Sequence, residues 1–213
     1  MIRAEIFIDL DSARRFKRTP WRKEDESSVS FANRCAFIVD LFGELQVKIA
    51  TSISEMQLGS KVTISRSRIY HGWHRGLTPT QDRRIWQEAA LSFRAYTMTK
   101  VSYLPDVAFG NELICGGKRV PLYDTLRNQD GIDRQKLVDT SLVADVICFA
   151  RSESSGVGGS KGPSSMGVIL ADDDDILPGA FVAERWGLPI RVLRVTRAGE
   201  NKHIDTRGMV GKI

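Results

Sequence analysis

Residues 167–178 read GVILADDDDILP: a run without charge, Gly167–Ala171, leads straight into the aspartates Asp172–Asp175. A short apolar run of this kind is the pattern of a strand buried on both faces. Pro178 to Trp186 then reads as a helix, closed by Gly187 with Pro189 just beyond. Ile190–Val195, IRVLRV, is the next strand. Near the other end, Glu5–Leu10, EIFIDL, is a second buried strand and runs into Asp9 and Asp11. Strands alternating with helices predict a mostly parallel sheet covered on both faces. In open parallel sheets function gathers at the carboxyl ends of the strands. Both acid-terminated strands place their carboxylates there.

The intervening chain fits that plan. Residues 28–56 carry Phe31, Cys35, Ile38, Val39, Phe42 and Leu45 at helical spacing, as one or two amphipathic helices. Lys61–Tyr70, KVTISRSRIY, alternates as a strand and leads into a loop, HGWHRGL. Thr78 as cap, Pro79 at the first helical position and Gln81 predict a helix to about Tyr96, with Ile85, Ala89, Ala90 and Phe93 inward. Lys118–Tyr123 reads as an edge strand because Pro121 cannot donate to a ladder. Residues 134–149 have helical periodicity, 152–165 read as a flexible Ser/Gly-rich insertion, and 197–213 as a polar, frayed tail.

Composition bounds the classes. The 213 residues are 42% hydrophobic and 27% charged, with 31 basic against 26 acidic side chains, net +5. This is an ordinary globular balance for a single domain over 1–213, and its mild basic excess is compatible with a polyanionic partner. No run approaches 18 apolar residues and the N-terminus carries acids, so a membrane or secreted chain is not expected; the expectation is a soluble, cytoplasmic protein. Cys35, Cys115 and Cys148 are widely spaced and odd in number, which offers neither a disulfide framework nor a zinc site and suggests core positions.

The acids carry the chemistry. Asp9 with Asp11, and Asp173 with Asp175, are spaced by two and project together if the chain stays extended. Clustered carboxylates push one another's pKa values up unless a cation joins them, and oxygen-only ligands select Mg²⁺ or Mn²⁺. A third group is Asp133 and Asp139 in GIDRQKLVD. Six residues turn a helix through roughly 600°, so these two converge only if Asp133 lies at or before the helix N-cap and Asp139 lies one to two turns in.

Taken in order, FIDLDSAR (7–14), GIDRQKLVD (131–139) and VILADDDDILP (168–178) resemble the NYN domain family, a branch of the PIN-like metal-dependent nucleases. The chain has the family's Gly-hydrophobic-Asp, the second Asp six residues on, and the acids spaced by two before a Pro. It departs at Ser12, where the family has Asn, at Asp130, where Lys is frequent, and in the insertion at 152–165. The resemblance implies a PIN-like, Rossmannoid three-layer α/β domain with a central, mostly parallel sheet. It also implies an endoribonuclease that hydrolyses RNA phosphodiesters, DNA being the other substrate it admits. Asp9, Asp139, Asp173 and Asp175 would hold one or two Mg²⁺ or Mn²⁺ ions, Asp133 would join the catalytic set, and Asp11 and Ser12 would orient it.

The tract Arg14, Arg15, Lys17, Arg18, Arg22 and Lys23, with Phe16 and Trp21 interleaved, suits a phosphate backbone with an aromatic stacked on a base. Arg75, in a basic stretch with Tyr70, His71, Trp73 and His74, is the candidate opposite wall. His71 and His74 lack a third ligand for zinc. GVGGSKG (156–162) lacks the order of a P-loop and reads as a linker or lid. Two other readings stand beside the nuclease. IDLDSA (8–13) also suits a phosphatase of the haloacid-dehalogenase type, with Asp9 as nucleophile, Asp11 as general acid and Asp172 or Asp173 on Mg²⁺. Ser12 suits an inactive nucleic-acid-binding or assembly module.

Overall fold

The computed structural model describes residues 1–21, 28–56, 58–115, 118–154, 164–195 and 208–213. In chain order it begins β1 (Ile2–Asp9), α1 (Leu10–Arg14), α2 (Phe31–Glu55), β2 (Val62–Tyr70), β3 (His74–Arg75), β4 (Thr78–Pro79) and α3 (Gln81–Ala90). Short strands follow: β5 (Tyr96–Met98), β6 (Val101–Tyr103), β7 (Val107–Phe109), β8 (Glu112–Cys115), β9 (Lys118–Pro121), β10 (Leu126–Gln129) and β11 (Ile132–Gln135). The chain closes with α4 (Val138–Ser154), β12 (Ser165–Leu170), α5 (Leu177–Arg185), β13 (Ile190–Arg194) and β14 (Val210–Lys212).

The main sheet runs β14-β13-β12-β1-β2-β6-β5, with β7 also on β2. Every pairing in it is parallel except β5 with β6. β1 is central because it is apolar on both faces. Ala4, Ile6 and Ile8 share one core with Leu41, Leu45 and Ile49 of α2 and with Ile85 and Trp86 of α3. Phe7 packs with Leu142 and Val146 of α4 and with Ala180 of α5. The chain is thus a mixed α/β fold with a mostly parallel sheet and helices flanking it. β2 lies to one side of β1 and β12 to the other, so the strand order reverses between β1 and β12. Such a reversal opens a crevice beyond the strand ends.

Several elements differ from the sequence expectations for local physical reasons. β2 carries an irregularity at Ser65, opposite Ala4 and Glu5, and the Ser65 hydroxyl donates to the Ala4 carbonyl at 3.2 Å. The extra residue shifts phase, so Val62, Ile64 and Ile69 all reach the same core. Thr80, not Thr78, caps α3, accepting from the Arg83 N–H at 3.3 Å, because Thr78–Pro79 pairs with His74–Arg75. That helix ends at Ala90, and Tyr96 opens β5.

The expected insertion is shorter than 152–165: residues 152–154 finish α4 and Ser165 opens β12. GVGGSKG lies outside the described residues. The tail is not frayed at its end. Met209 is buried, and β14 adds a parallel edge strand to β13, giving an open edge its partner. Cys35 is half-buried and Cys148 exposed, so neither is a fully buried core residue; the Cys115 side chain lies outside those described. No described helix is long and apolar enough to cross a membrane.

A candidate acidic site at the strand ends

Registers place the strand ends side by side: Ile8 lies opposite Leu170 and Ile69, and Leu170 lies opposite Leu193. Beyond that edge the chain turns at once. Asp9 caps α1, accepting from the Asp11 N–H at 3.3 Å, the Ser12 N–H at 3.0 Å and the Ser12 hydroxyl at 2.6 Å. Asp173 caps a single 3₁₀ turn, Asp174–Ile176, accepting from the Asp175 N–H at 3.0 Å. Neither pair stays extended, so the expected common projection from spacing by two does not occur. A carboxylate that can cap ends the strand instead.

The carboxylates nevertheless meet electrostatically. Burial pushes the Asp139 carboxyl up, and the charges of Asp9, Asp173, Asp175 and Asp11 push it further. Burial likewise raises Asp9, with Asp11 adding to it and the Ser12 hydrogen bonds opposing. Acids from β1, the start of α4 and the end of β12 therefore share one region. Leu137, at φ 65°, turns the chain so that Asp139 enters in the first turn of α4, where the helix dipole favours an anion.

Asp133 is not in that group. Asp130 and Gly131 both have positive φ, the condition for a two-residue turn of type I′, so the segment folds as the β10–β11 hairpin rather than opening a helix. The Asp133 carboxylate accepts from Arg75 and, at 3.1 Å, from Asn128. Its expected place at an N-cap beside Asp139 is thereby corrected, and Arg75 is drawn into the same surface pair.

The four consecutive aspartates divide by alternate positions. Asp172 accepts from the Val195 N–H at 2.8 Å and from Arg15 at 3.0 Å. Arg194, 3% exposed, donates to the Asp172 carbonyl at 2.7 Å and pairs with Asp174. Asp172 and Asp174 thus tie β12 to β13, while Asp173 and Asp175 are exposed on the site. Ser12 joins the two halves: its hydroxyl donates to Asp9 and accepts from the Asp172 N–H at 2.9 Å.

A second network was not read as a unit from the sequence. Gln135 Nε2 donates to Asp11 Oδ2 at 2.9 Å and to His71 Nδ1 at 2.8 Å, leaving His71 Nε2 to donate to Asp82 at 3.0 Å. Arg14 pairs with Asp82 at 2.9 Å. Burial alone would raise the Asp82 carboxyl, but His71 and Arg14 outweigh it and hold the group well below the usual carboxylate range. His71 directly follows β2, so the strand-end rule that picks out Asp9 and Asp173 applies to it as well.

The basic tract is partly occupied within the chain. Arg14 and Arg15 bind Asp82 and Asp172, and Lys17 pairs with Glu44. Phe16 and Trp21 both pack, half-buried, against the core, with Lys48 5.9 Å from the Phe16 ring centre and Trp21 edge-on to Phe37. Arg18 is exposed, and Arg22 and Lys23 lie outside the described residues. Compared with models of known families, with curated proteins and with solved structures, the chain finds no match.

Proposed function

We propose that the chain is a metal-dependent nuclease of PIN-like, NYN-type architecture that hydrolyses RNA phosphodiester bonds. The observation that carries this reading is the convergence of the charges of Asp9, Asp173, Asp175 and Asp11 on Asp139 at the strand-order reversal. Oxygen-only donors of this kind suit Mg²⁺ or Mn²⁺. Among the described residues no three His, Cys, Asp or Glu side chains close on one point at ion-binding distance. It is the chemistry of the donor set, rather than its spacing here, that supports an ion. Asp9, Asp139, Asp173 and Asp175 are the residues that would hold it. Once bound, such an ion lowers the pKa of a water and neutralises charge building on a phosphoryl group.

The chain's own part is orientation. Ser12 fixes the Asp9 carboxylate, Gln135 fixes Asp11, and Arg194 holds Asp174 away from the site. Arg18, exposed, and Arg14, Arg15 and Lys17, each in an ion pair a polyanion would have to share or displace, lie within nine residues of Asp9.

The test is incubation with Mn²⁺ and a mixed RNA and DNA panel. Asp173→Asn and Asp9→Asn are expected to abolish cleavage while remaining folded, and Asp133→Asn to cleave as the parent does. Unchanged cleavage in both Asp173→Asn and Asp9→Asn refutes the assignment. The open spacing of the carboxylates favours one second reading, a binding module without catalysis; RNA retention with no metal-dependent cleavage decides for it. Turnover of a small phosphate ester in place of long RNA decides for the phosphatase.

A further inference from the structure

Behind the acids, between α1 and the faces of α2 and α3, lies a cavity of about 200 Å³. Pockets for drug-sized ligands run from about 300 Å³ upward, so this one suits a single small ring system. Trp21, Phe37 and Trp86 supply aromatic walls, and Arg14, Lys17 and Arg34 supply cations against one carboxylate, Asp82. Trp21 meets Phe37 edge-on at 5.3 Å between ring centres and is only half-buried. Trp86 is 1% exposed, yet its indole N–H has no acceptor among the described residues. A buried donor without an acceptor is uncommon in folded proteins and marks a place where a ligand atom can complete the bonding.

We propose that this cavity is a subsite for one unstacked base of a single nucleic-acid strand, with the phosphates on either side of that base meeting Arg14 and Lys17. Aromatic surface combined with cations is the chemistry that holds single strands: the ring face takes any base and the cations follow the backbone. The Lys17–Glu44 pair does not block this, because an exposed pair is weak and a phosphate displaces the glutamate cheaply. The subsite is continuous with the acids. Arg14 and Asp82 line the cavity, Asp82 binds His71, and His71 shares Gln135 with Asp11. A base seated here therefore belongs to a nucleotide near the bond presented to the acids. The inference rests on the reading that this face receives a nucleic-acid strand, and it is independent of whether that strand is cut.

The experiment measures fluorescence anisotropy of labelled single-stranded RNA oligonucleotides with EDTA present, so that no cleavage intervenes. In the parent protein, an abasic residue is moved one position at a time along the oligonucleotide. One position is expected to weaken binding by about 5- to 150-fold, the span of a base–aromatic stack. Trp21→Ala is expected to weaken the intact oligonucleotide by a similar factor and to add nothing to the abasic one, while Trp21→Phe restores most of the affinity. No binding by the parent, an even loss along all positions, or full additivity of Trp21→Ala with the abasic site overturns the subsite. The abasic scan uses the parent protein, so it decides the matter even if Trp21→Ala fails to fold. Position-specific binding without cleavage in Mn²⁺ leaves the subsite standing and removes the nuclease.

Discussion

Ser12→Ala is the sharpest perturbation the structure offers. The Ser12 hydroxyl, on a residue 1% exposed, donates to Asp9 at 2.6 Å and accepts from the Asp172 N–H at 2.9 Å. Removing it deletes a hydrogen bond to a charged group, about 1.5–3 kcal/mol, and takes away the acceptor of a half-buried N–H, about 1 kcal/mol. Alanine returns about half a kcal/mol as the better helix former in α1. The expected net loss is about 3 kcal/mol. For a chain of this size that lowers Tm by about 6–12 °C. Urea melts at pH 7.5 should show the midpoint falling with an unchanged slope, since neither end state changes in compactness. The carboxyl titration of Asp9, followed by carbon NMR, should move further up, because the lost hydrogen bond is one that lowers it. A loss under 1 kcal/mol with an unmoved Asp9 titration would show that Ser12 does not join the two halves of the site.

Asp139 is raised in the fold, so its contribution to stability is complete below the ordinary carboxylate pKa and is lost as pH rises through the raised value. Asp139→Asn should therefore gain stability over the parent at pH 7.5 relative to any change at pH 3.5, in paired urea melts. A difference of zero or opposite sign rejects the cluster. Tyr70→Phe removes the hydroxyl that donates to the buried Asp145 at 2.8 Å and should cost about 2 kcal/mol; a loss under 0.5 kcal/mol would contradict the network. Mn²⁺ at a hundred times its dissociation constant should stabilise the parent by about 2.7 kcal/mol in a thermal shift assay, and Asp173→Asn should respond little. Equal shifts in both would place the ion elsewhere.

The sequence carries the sheet better than its decorations. EIFIDL and GVILA are legible because a strand buried on both faces has few alternatives, and their parallel pairing follows from the helices between them. The phase break in β2 is not legible, since Ser65 looks like any polar residue in an alternating strand until Ala4 stands opposite it. Asp133 shows how a local signal is lost. Asp-Gly between short extended runs is a strong hairpin signal, and reading Gly131 as the turn before a helix hid it. Asp173 and Asp175 are exposed, whereas their neighbours Asp172 and Asp174 are bonded to β13. The reason, Arg194 reaching from β13 to Asp172 and Asp174, is a contact between distant segments that spacing alone does not reveal.

The carboxylates of this chain fall into two energetic kinds, and their separation in space is itself informative. Asp172, Asp174 and Asp82 each meet an arginine; Asp145 is raised by burial, but Arg68 and the Tyr70 hydroxyl oppose that shift. Those acids hold strands and helices together. Asp9 and Asp139 are raised by burial and by one another's neighbours, without a cation among the causes of either shift, so at neutral pH their charges oppose the fold. Opposition scattered over a surface would say little. Here it gathers where the strand order reverses, beside a cationic tract and a cavity walled by aromatic rings. Acids raised by burial and by neighbouring carboxylates at the strand-order reversal are the charges that the proposed ion would neutralise. Perturbed carboxyls grouped in this way are the physical basis for treating the strand ends as a candidate site.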